Sequence, residues 1–280
     1  MSSTPTTLTA ATVSGTDVLV RDGRPHDTVL LLHGIGGRAS SFADMMRRWP
    51  AGRRLIAWDM PGYGQSRPFQ HPWPSPTEYA DRLADICEEL GLDTVDVVGQ
   101  SLGAIVAANF AHIHVGIMRR LVLISPAPGY GVPERGKLPD ALAKRIADFD
   151  IEGADQFAAK RAARLVHRAN ERPEIVDQIR ATMATLSKGG HRQAVRLLAS
   201  GTTKQDLARF SYRTLVLCGA EDVVTPVAGS RSLFDTLQAR GGISKKDDRL
   251  HIVPDAGHAV LHEAPDEVLR VVGEFLEARE

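Results

Sequence analysis

The sequence predicts an α/β protein: a mostly parallel sheet flanked by helices, interrupted once by an inserted helical cap. Three observations predict it. Short apolar runs alternate with amphipathic stretches along most of the chain. The alternation lapses between residues 127 and 205 and then resumes. A Gly-Gln-Ser-Leu-Gly sequence, residues 99–103, stands directly between one apolar run and a helical pattern.

The runs expected as strands are 29–32, 55–58, 95–98, 121–124, 215–218 and 250–253. Each is short, apolar and bounded by turn residues, as strands buried on both faces should be. An earlier segment, 12–20, carries Gly15 near its middle and reads as an antiparallel edge hairpin. Helical periodicity falls at 77–90, 102–114, 227–239 and 265–278, and Gly91 supplies a stop for the first of these. Residues 127–205 are rich in Ala and Arg, open on Pro126, Pro128, Pro133 and Pro139, and show helical rather than strand periodicity. Because the strand pattern returns afterwards, an insertion explains them better than a second independent domain. The expected layout is core residues 1–126, a cap at 127–205, and core residues 206–280.

Composition limits the function classes. With 280 residues, 43% of them hydrophobic, the chain can bury one large core and still carry an insertion. Lys and Arg number 34 and Asp and Glu 34, so no overall field recruits nucleic acid or an anionic membrane. Cys87 and Cys218 are too few for a disulfide framework and read as small buried or half-buried residues. Residues 1–11 are rich in Ser and Thr and lack the basic and apolar regions of a signal peptide; no apolar stretch reaches membrane-spanning length. The expectation is a cytoplasmic protein acting on a small molecule, with monomer and homodimer equally compatible.

The Gly-x-Ser-x-Gly sequence matters because of where it stands. A serine at a sharp strand-to-helix turn is held in a strained backbone conformation with its hydroxyl projecting above the sheet. Flanking glycines keep Cβ atoms out of a space where strand and helix nearly touch. The helix N-terminus offers free N–H groups to a developing oxyanion. Ser101 is therefore the candidate nucleophile. An acid and a histidine then follow in the order such sites require. Asp222 lies just beyond the run 215–218, with Glu221 as its nearest rival, and His258 lies beyond 250–253. An acid there can hold the imidazole in one tautomer and stabilise its protonated form. No His, Cys or carboxylate set has metal-ligand spacing, and Gly34, Gly36 and Gly37 are not followed by the Lys-Ser/Thr of a phosphate loop, so no metal or nucleotide cofactor is expected.

Residues 18–275 resemble the α/β-hydrolase superfamily, serine-nucleophile branch. The resemblance rests on the elbow at Ser101, on Gly219-Ala220-Glu221-Asp222-Val223-Val224-Thr225-Pro226, and on Pro254-Asp255-Ala256-Gly257-His258. Gly-x-x-Asp-x-x-x-Pro is similar to the family's acid loop and favours Asp222 over Glu221. His33-Gly34-Ile35-Gly36-Gly37 resembles its oxyanion loop, which implies that the backbone N–H groups of Ile35 and Leu102 hold the oxyanion and that His33 braces the loop. Asp59-Met60-Pro61-Gly62-Tyr63-Gly64-Gln65-Ser66 resembles the turn after the next strand, with Asp59 and Ser66 tying it together. A serine nucleophile disfavours haloalkane-dehalogenase and epoxide-hydrolase chemistry. Within the superfamily the chain is similar to the enol-lactonases and small carboxylesterases of aromatic-acid degradation, such as 3-oxoadipate enol-lactonase. Ring-fission C–C hydrolases are the runner-up. They typically carry Trp after the catalytic His, where this chain has Ala259. A cofactor-free perhydrolase and a triad-bearing ligand-binding protein with slow turnover are further readings.

Charge suggests the substrate. Residues 127–205 hold fourteen Lys and Arg against nine Asp and Glu. A basic cap over an active site suits an anionic, carboxylate-bearing substrate. Arg161, Arg164 and Arg168 are spaced as one helical stripe, and Arg161 and Arg164 are the candidate substrate contacts. With only Tyr130, Phe149 and Phe157 available for stacking, large aromatic substrates are not expected.

Overall fold

The computed structural model describes residues 7–240 and 247–278. Eight strands form one sheet: β1 (Thr9–Val13), β2 (Thr16–Arg21), β3 (Arg24–Leu32), β4 (Arg53–Trp58), β5 (Val95–Gln100), β6 (Met118–Ile124), β7 (Arg213–Gly219) and β8 (Arg249–Val253), in the order β1-β2-β4-β3-β5-β6-β7-β8. β3 to β8 run parallel; β1 and β2 make an antiparallel edge. Ser14 and Gly15 both take positive φ, 48° and 69°, as a two-residue turn needs to match the twist of its strands. This is the α/β-hydrolase fold that the sequence predicts.

The apolar runs are continuous because both faces of the sheet are covered. Successive side chains of a strand point to opposite faces. Leu30 and Leu32 of β3 accordingly join one core cluster while Val29 and Leu31 join the other, and β6 divides likewise, with Leu121 and Leu123 opposed to Val122 and Ile124. The first face is covered by α2 (Pro76–Glu89), α3 (Leu102–Ile113) and α8 (Val227–Ala239). The second is covered by α1 (Ala43–Arg48), the short α9 (Val260–Glu263) and α10 (Pro265–Glu277). Ser75 and Glu78 close a capping box on α2, with Pro76 at its first position. α3 is apolar on all sides, and its residues from Leu102 to Ala111 are all buried, so it is a core helix rather than a surface one.

Between β6 and β7 the chain forms α4 (Asp140–Arg161), α5 (Pro173–Met183), α6 (Lys188–Ser200) and α7 (Thr203–Leu207). α4 bends at Gly153, whose φ of 75° is not helical. The two ends of this helical segment lie side by side. Gly131 N–H donates to Gly201 O at 3.0 Å, Val132 N–H to Ala199 O at 2.9 Å, and Thr203 Oγ1 to Ala127 O at 2.8 Å. Among the described residues, no helix is long and apolar enough to cross a membrane.

Strand register carries the carboxyl ends to one edge. Leu32 pairs with Gly99, Gln100 with Ile124, Ile124 with Leu217, and Gly219 with Val253. The loops that follow β3, β5, β7 and β8 therefore open together, where open α/β sheets bind their ligands.

Candidate active site

Ser101 sits between β5 and α3 with φ 51° and ψ −111°, a conformation that non-glycine residues rarely adopt. Its neighbours make the turn possible. A Cβ on Gly99 would stand 2.5 Å from Gly103 O, and one on Gly103 would stand 2.2 Å from Leu32 O. Strand and helix approach so closely that only glycine fits at either place.

Three predicted residues meet here. His258 Nε2 lies 3.1 Å from Ser101 Oγ, and His258 Nδ1 lies 2.8 Å from Asp222 Oδ2. Glu221, the rival acid, is exposed. Asp222 Oδ1 accepts the N–H groups of Val224 and Thr225, each at 2.8 Å. Burial pushes the Asp222 carboxyl up, but the His258 ring and the Thr225 donors outweigh it and hold the pKa below the ordinary value. The acid is thus kept as an acceptor for the imidazole.

The loop after β3 faces Ser101. Gly34 comes so near that a Cβ there would stand 3.0 Å from Ser101 Cβ. His33 is fully buried; its Nε2 accepts from Met60 N–H at 3.0 Å and its Nδ1–H donates to Gly34 O at 2.8 Å. Burial pushes this imidazole down to about 4, so it braces the loop as a neutral group. Tyr63 donates its hydroxyl to Ile35 O at 2.8 Å, fixing that peptide plane. Ile35 and Leu102 both line the cavity above Ser101, and among the described residues neither N–H has an acceptor. Asp59 and Ser66 tie their loop: Asp59 binds Arg38 at 2.6 Å and Ala39 N–H at 2.7 Å, and Ser66 Oγ donates to Asp59 O at 2.6 Å.

The cavity measures about 620 Å³, within the range of small-molecule sites. Ile35, Leu142, Leu165, Ile179, Met183 and Leu198 give it an apolar wall. Arg145, Arg161 and Arg164 also line it, and among the described residues no Asp or Glu does.

A family model described as "Alpha/beta hydrolase family" matches residues 29–271. The chain belongs to the alpha/beta hydrolase family. As an alpha/beta hydrolase it is similar to 2-hydroxy-6-oxo-2,4-heptadienoate hydrolase of Pseudomonas putida, at 27% identity over 95% of each chain. It is also similar to the pimeloyl-[acyl-carrier protein] methyl ester esterase of Chromobacterium violaceum, at 25% identity over 90% of this chain and 94% of that one. Among solved structures, the enol-lactonase of Burkholderia xenovorans LB400 superposes with a TM-score of 0.81 at 20% identity, covering 96% of this chain and all of that one. At that identity the likeness speaks for the fold.

Sequence reasoning about this alpha/beta hydrolase missed several residues around the site. Thr225 Oγ1 donates to Ser125 O at 3.0 Å, or to Asp222 Oδ2 at 2.8 Å, and lies 3.1 Å from His258 Nδ1. Glu263, whose carboxylate is fully buried, accepts the Gly257 N–H at 3.0 Å and the His167 N–H at 2.7 Å, and pairs with Arg172 at 3.0 Å. It thereby joins the His258 loop to the helical segment between β6 and β7.

The arginine stripe needs correction. α4 ends at Arg161, a 3₁₀ turn covers Ala162–Leu165, and Arg168 takes a left-handed φ of 47°. Helical spacing therefore does not continue to Arg168, which pairs with Asp255 and stays out of the cavity wall. Arg161 and Arg164 do reach the wall. Arg145 joins them from earlier in α4, unforeseen by a stripe counted from Arg161.

Proposed function

We propose that this protein is a serine hydrolase of the carboxylesterase or lactonase type that cleaves an ester or lactone bond of a small carboxylate-bearing compound. The observation that carries the reading is the contact series Asp222–His258–Ser101, ending at a strained serine beneath a cavity. In this mechanism Ser101 Oγ attacks the acyl carbon as His258 Nε2 takes its proton. Asp222 stabilises the imidazolium and keeps its ring oriented. The Ile35 and Leu102 N–H groups receive the oxyanion, a contribution that typically amounts to about 3 to 4 kcal/mol per donor. His258 then protonates the leaving oxygen, and a water activated by the same imidazole releases the acyl group from Ser101.

Residues 127–205 serve as the cap in this proposal, closing the cavity over Ser101. Three arginines on the wall, with no Asp or Glu beside them among the described residues, support an anionic substrate. A second reading, hydrolysis of a C–C bond in a ring-fission product, is favoured by the curated relatives 2-hydroxy-6-oxo-2,4-heptadienoate hydrolase and 2-hydroxymuconate semialdehyde hydrolase, the latter 29% identical. A third, ligand binding with slow turnover, uses the same site without efficient deacylation.

The deciding experiment compares kcat/KM across carboxylate-bearing esters, enol-lactones and ring-fission diketones. The proposal expects sustained turnover, with an ester or lactone ahead of any diketone by at least about ten-fold. A diketone in the lead would transfer the assignment to C–C hydrolysis. One turnover without release would make the protein a receptor.

A further inference from the structure

The three cavity arginines are not equivalent. Arg164 is exposed, with no ion pair among the described residues. Arg161 lies over the Phe157 ring, 4.5 Å from its centroid, and its nearest acid is Asp148 at 3.9 Å, which already binds Lys144 at 2.6 Å. Arg145 is partly buried, and among the described residues no carboxylate lies within ion-pair distance of it. Its guanidinium carbon stands 5.7 Å from the same Phe157 ring, and its Nε–H points to His191 Nε2 at 3.5 Å.

His191 is built to orient a cation without neutralising it. The ring is fully buried, stacked on Phe149 at 4.2 Å and 17° and edge-on to Phe157 at 5.0 Å. Burial, then the charges of Arg145 and Arg161, push its pKa down to about 3, so it stays a neutral acceptor. Burial and the neighbouring Arg161 push Arg145 down to about 10, which leaves it charged at neutral pH. A desolvated cation with no counter-ion is unfavourable, and two cations against one ring add repulsion. The missing anion can come from the cavity, because both side chains line it.

We propose that Arg145 and Arg161 form a carboxylate subsite, with Arg145 the principal anchor and His191 the positioning residue that aims it. The ligand class is an ester or lactone whose acyl portion carries a second carboxylate, such as a half-ester of a short dicarboxylic acid. Arg164, at the exposed wall, steers anions but does not anchor them. The subsite deepens the hydrolase reading and rests on it for its kinetic consequences, not for its binding.

The experiment uses the full chain and two matched esters, the mono-p-nitrophenyl ester of glutaric acid and the neutral p-nitrophenyl butyrate. Glutarate itself serves as a binding probe in calorimetry and thermal unfolding. Arg145→Gln and Arg145→Met should raise KM for the anionic ester by about ten- to a hundred-fold, as loss of a charge-assisted anchor does. They should leave the neutral ester within about two-fold. Arg145→Lys should recover part of the loss. His191→Phe, which keeps the stacking but removes the acceptor, should raise KM for the anionic ester alone, while Arg164→Gln should change KM less than Arg145→Gln does. Arg145→Met should melt no lower than the wild type, because it removes an uncompensated, partly buried charge, and glutarate should raise the melting temperature of the wild type but not of Arg145→Met. Equal losses on both esters, or glutarate stabilisation that survives Arg145→Met, would overturn the subsite. If neither ester is hydrolysed but glutarate binding still depends on Arg145, the hydrolase reading fails and the subsite stands. If both are hydrolysed and Arg145→Gln does not discriminate between them, the subsite fails and the hydrolase reading stands.

Discussion

Thr225 Oγ1 is placed against three groups at once: Asp222 Oδ2, the Ser125 carbonyl and the His258 ring. Directed at Asp222, it adds a donor to a carboxylate that already accepts two backbone N–H groups from the same loop. A hydrogen bond to a charged group contributes about 1.5 to 3 kcal/mol. Thr225→Val should therefore lower kcat by roughly ten-fold or more with KM nearly unchanged, and Thr225→Ser should restore it. A change in KM alone, or none in kcat, would reduce Thr225 to a loop brace. The sequence offered no signal for this residue, since its partners come from Ser125 and His258 in other loops. The end of a strand narrowed the acid to Glu221 or Asp222 and the resemblance of the loop favoured Asp222, while the serine and histidine were legible from the strand ends they follow. Arg145 was not, because a bend in the chain rather than helical spacing decides which arginines share the wall.

At the level of elements, the elbow depends on a close approach of α3 to β3 and β5. Gly103→Ala would drive a methyl group to 2.2 Å from the Leu32 carbonyl oxygen, a backbone atom of a central strand that cannot swing aside. Overpacking of this kind costs about 3 kcal/mol or more, so the variant should unfold at clearly lower denaturant and lose activity with the displaced serine. Wild-type stability in Gly103→Ala would mean that strand and helix are not in contact there. The principal strands and helices were readable for a plain reason: two-sided burial makes β3 to β7 continuous apolar runs, and long amphipathic helices repeat their apolar face. α1, with six residues, and the four-residue helix Val260–Glu263 are too short to repeat, so periodicity passes over them. The end of α4 at Arg161, the 3₁₀ turn that follows it and the left-handed Arg168 explain why a single stripe from Arg161 to Arg168 was the wrong pattern.

Across the whole molecule, the sheet register does what the chain order alone cannot. Ser101 and His258 are 157 residues apart in sequence and 3.1 Å apart in space. The excess of positive charge in residues 127–205 is also redistributed. Lys144, Lys160, Arg168, Arg172, Arg180 and Arg192 all find carboxylates at the surface or at the base of the insertion. What reaches the cavity is a local group of arginines within a chain of zero net charge. Ionic strength should therefore affect association with anionic substrates only modestly, since a local charge is felt over about 8 Å at physiological salt. The proposed function requires, above all, one covalent step at Ser101. The most direct measurement is rapid-quench mass spectrometry of the protein mixed with a slowly deacylating p-nitrophenyl ester. A covalent step at Ser101 should give a nitrophenol burst of about one equivalent, an acyl adduct mapped to the peptide carrying Ser101, and neither signal in Ser101→Ala. Turnover without an adduct, or a burst that persists in Ser101→Ala, would contradict it.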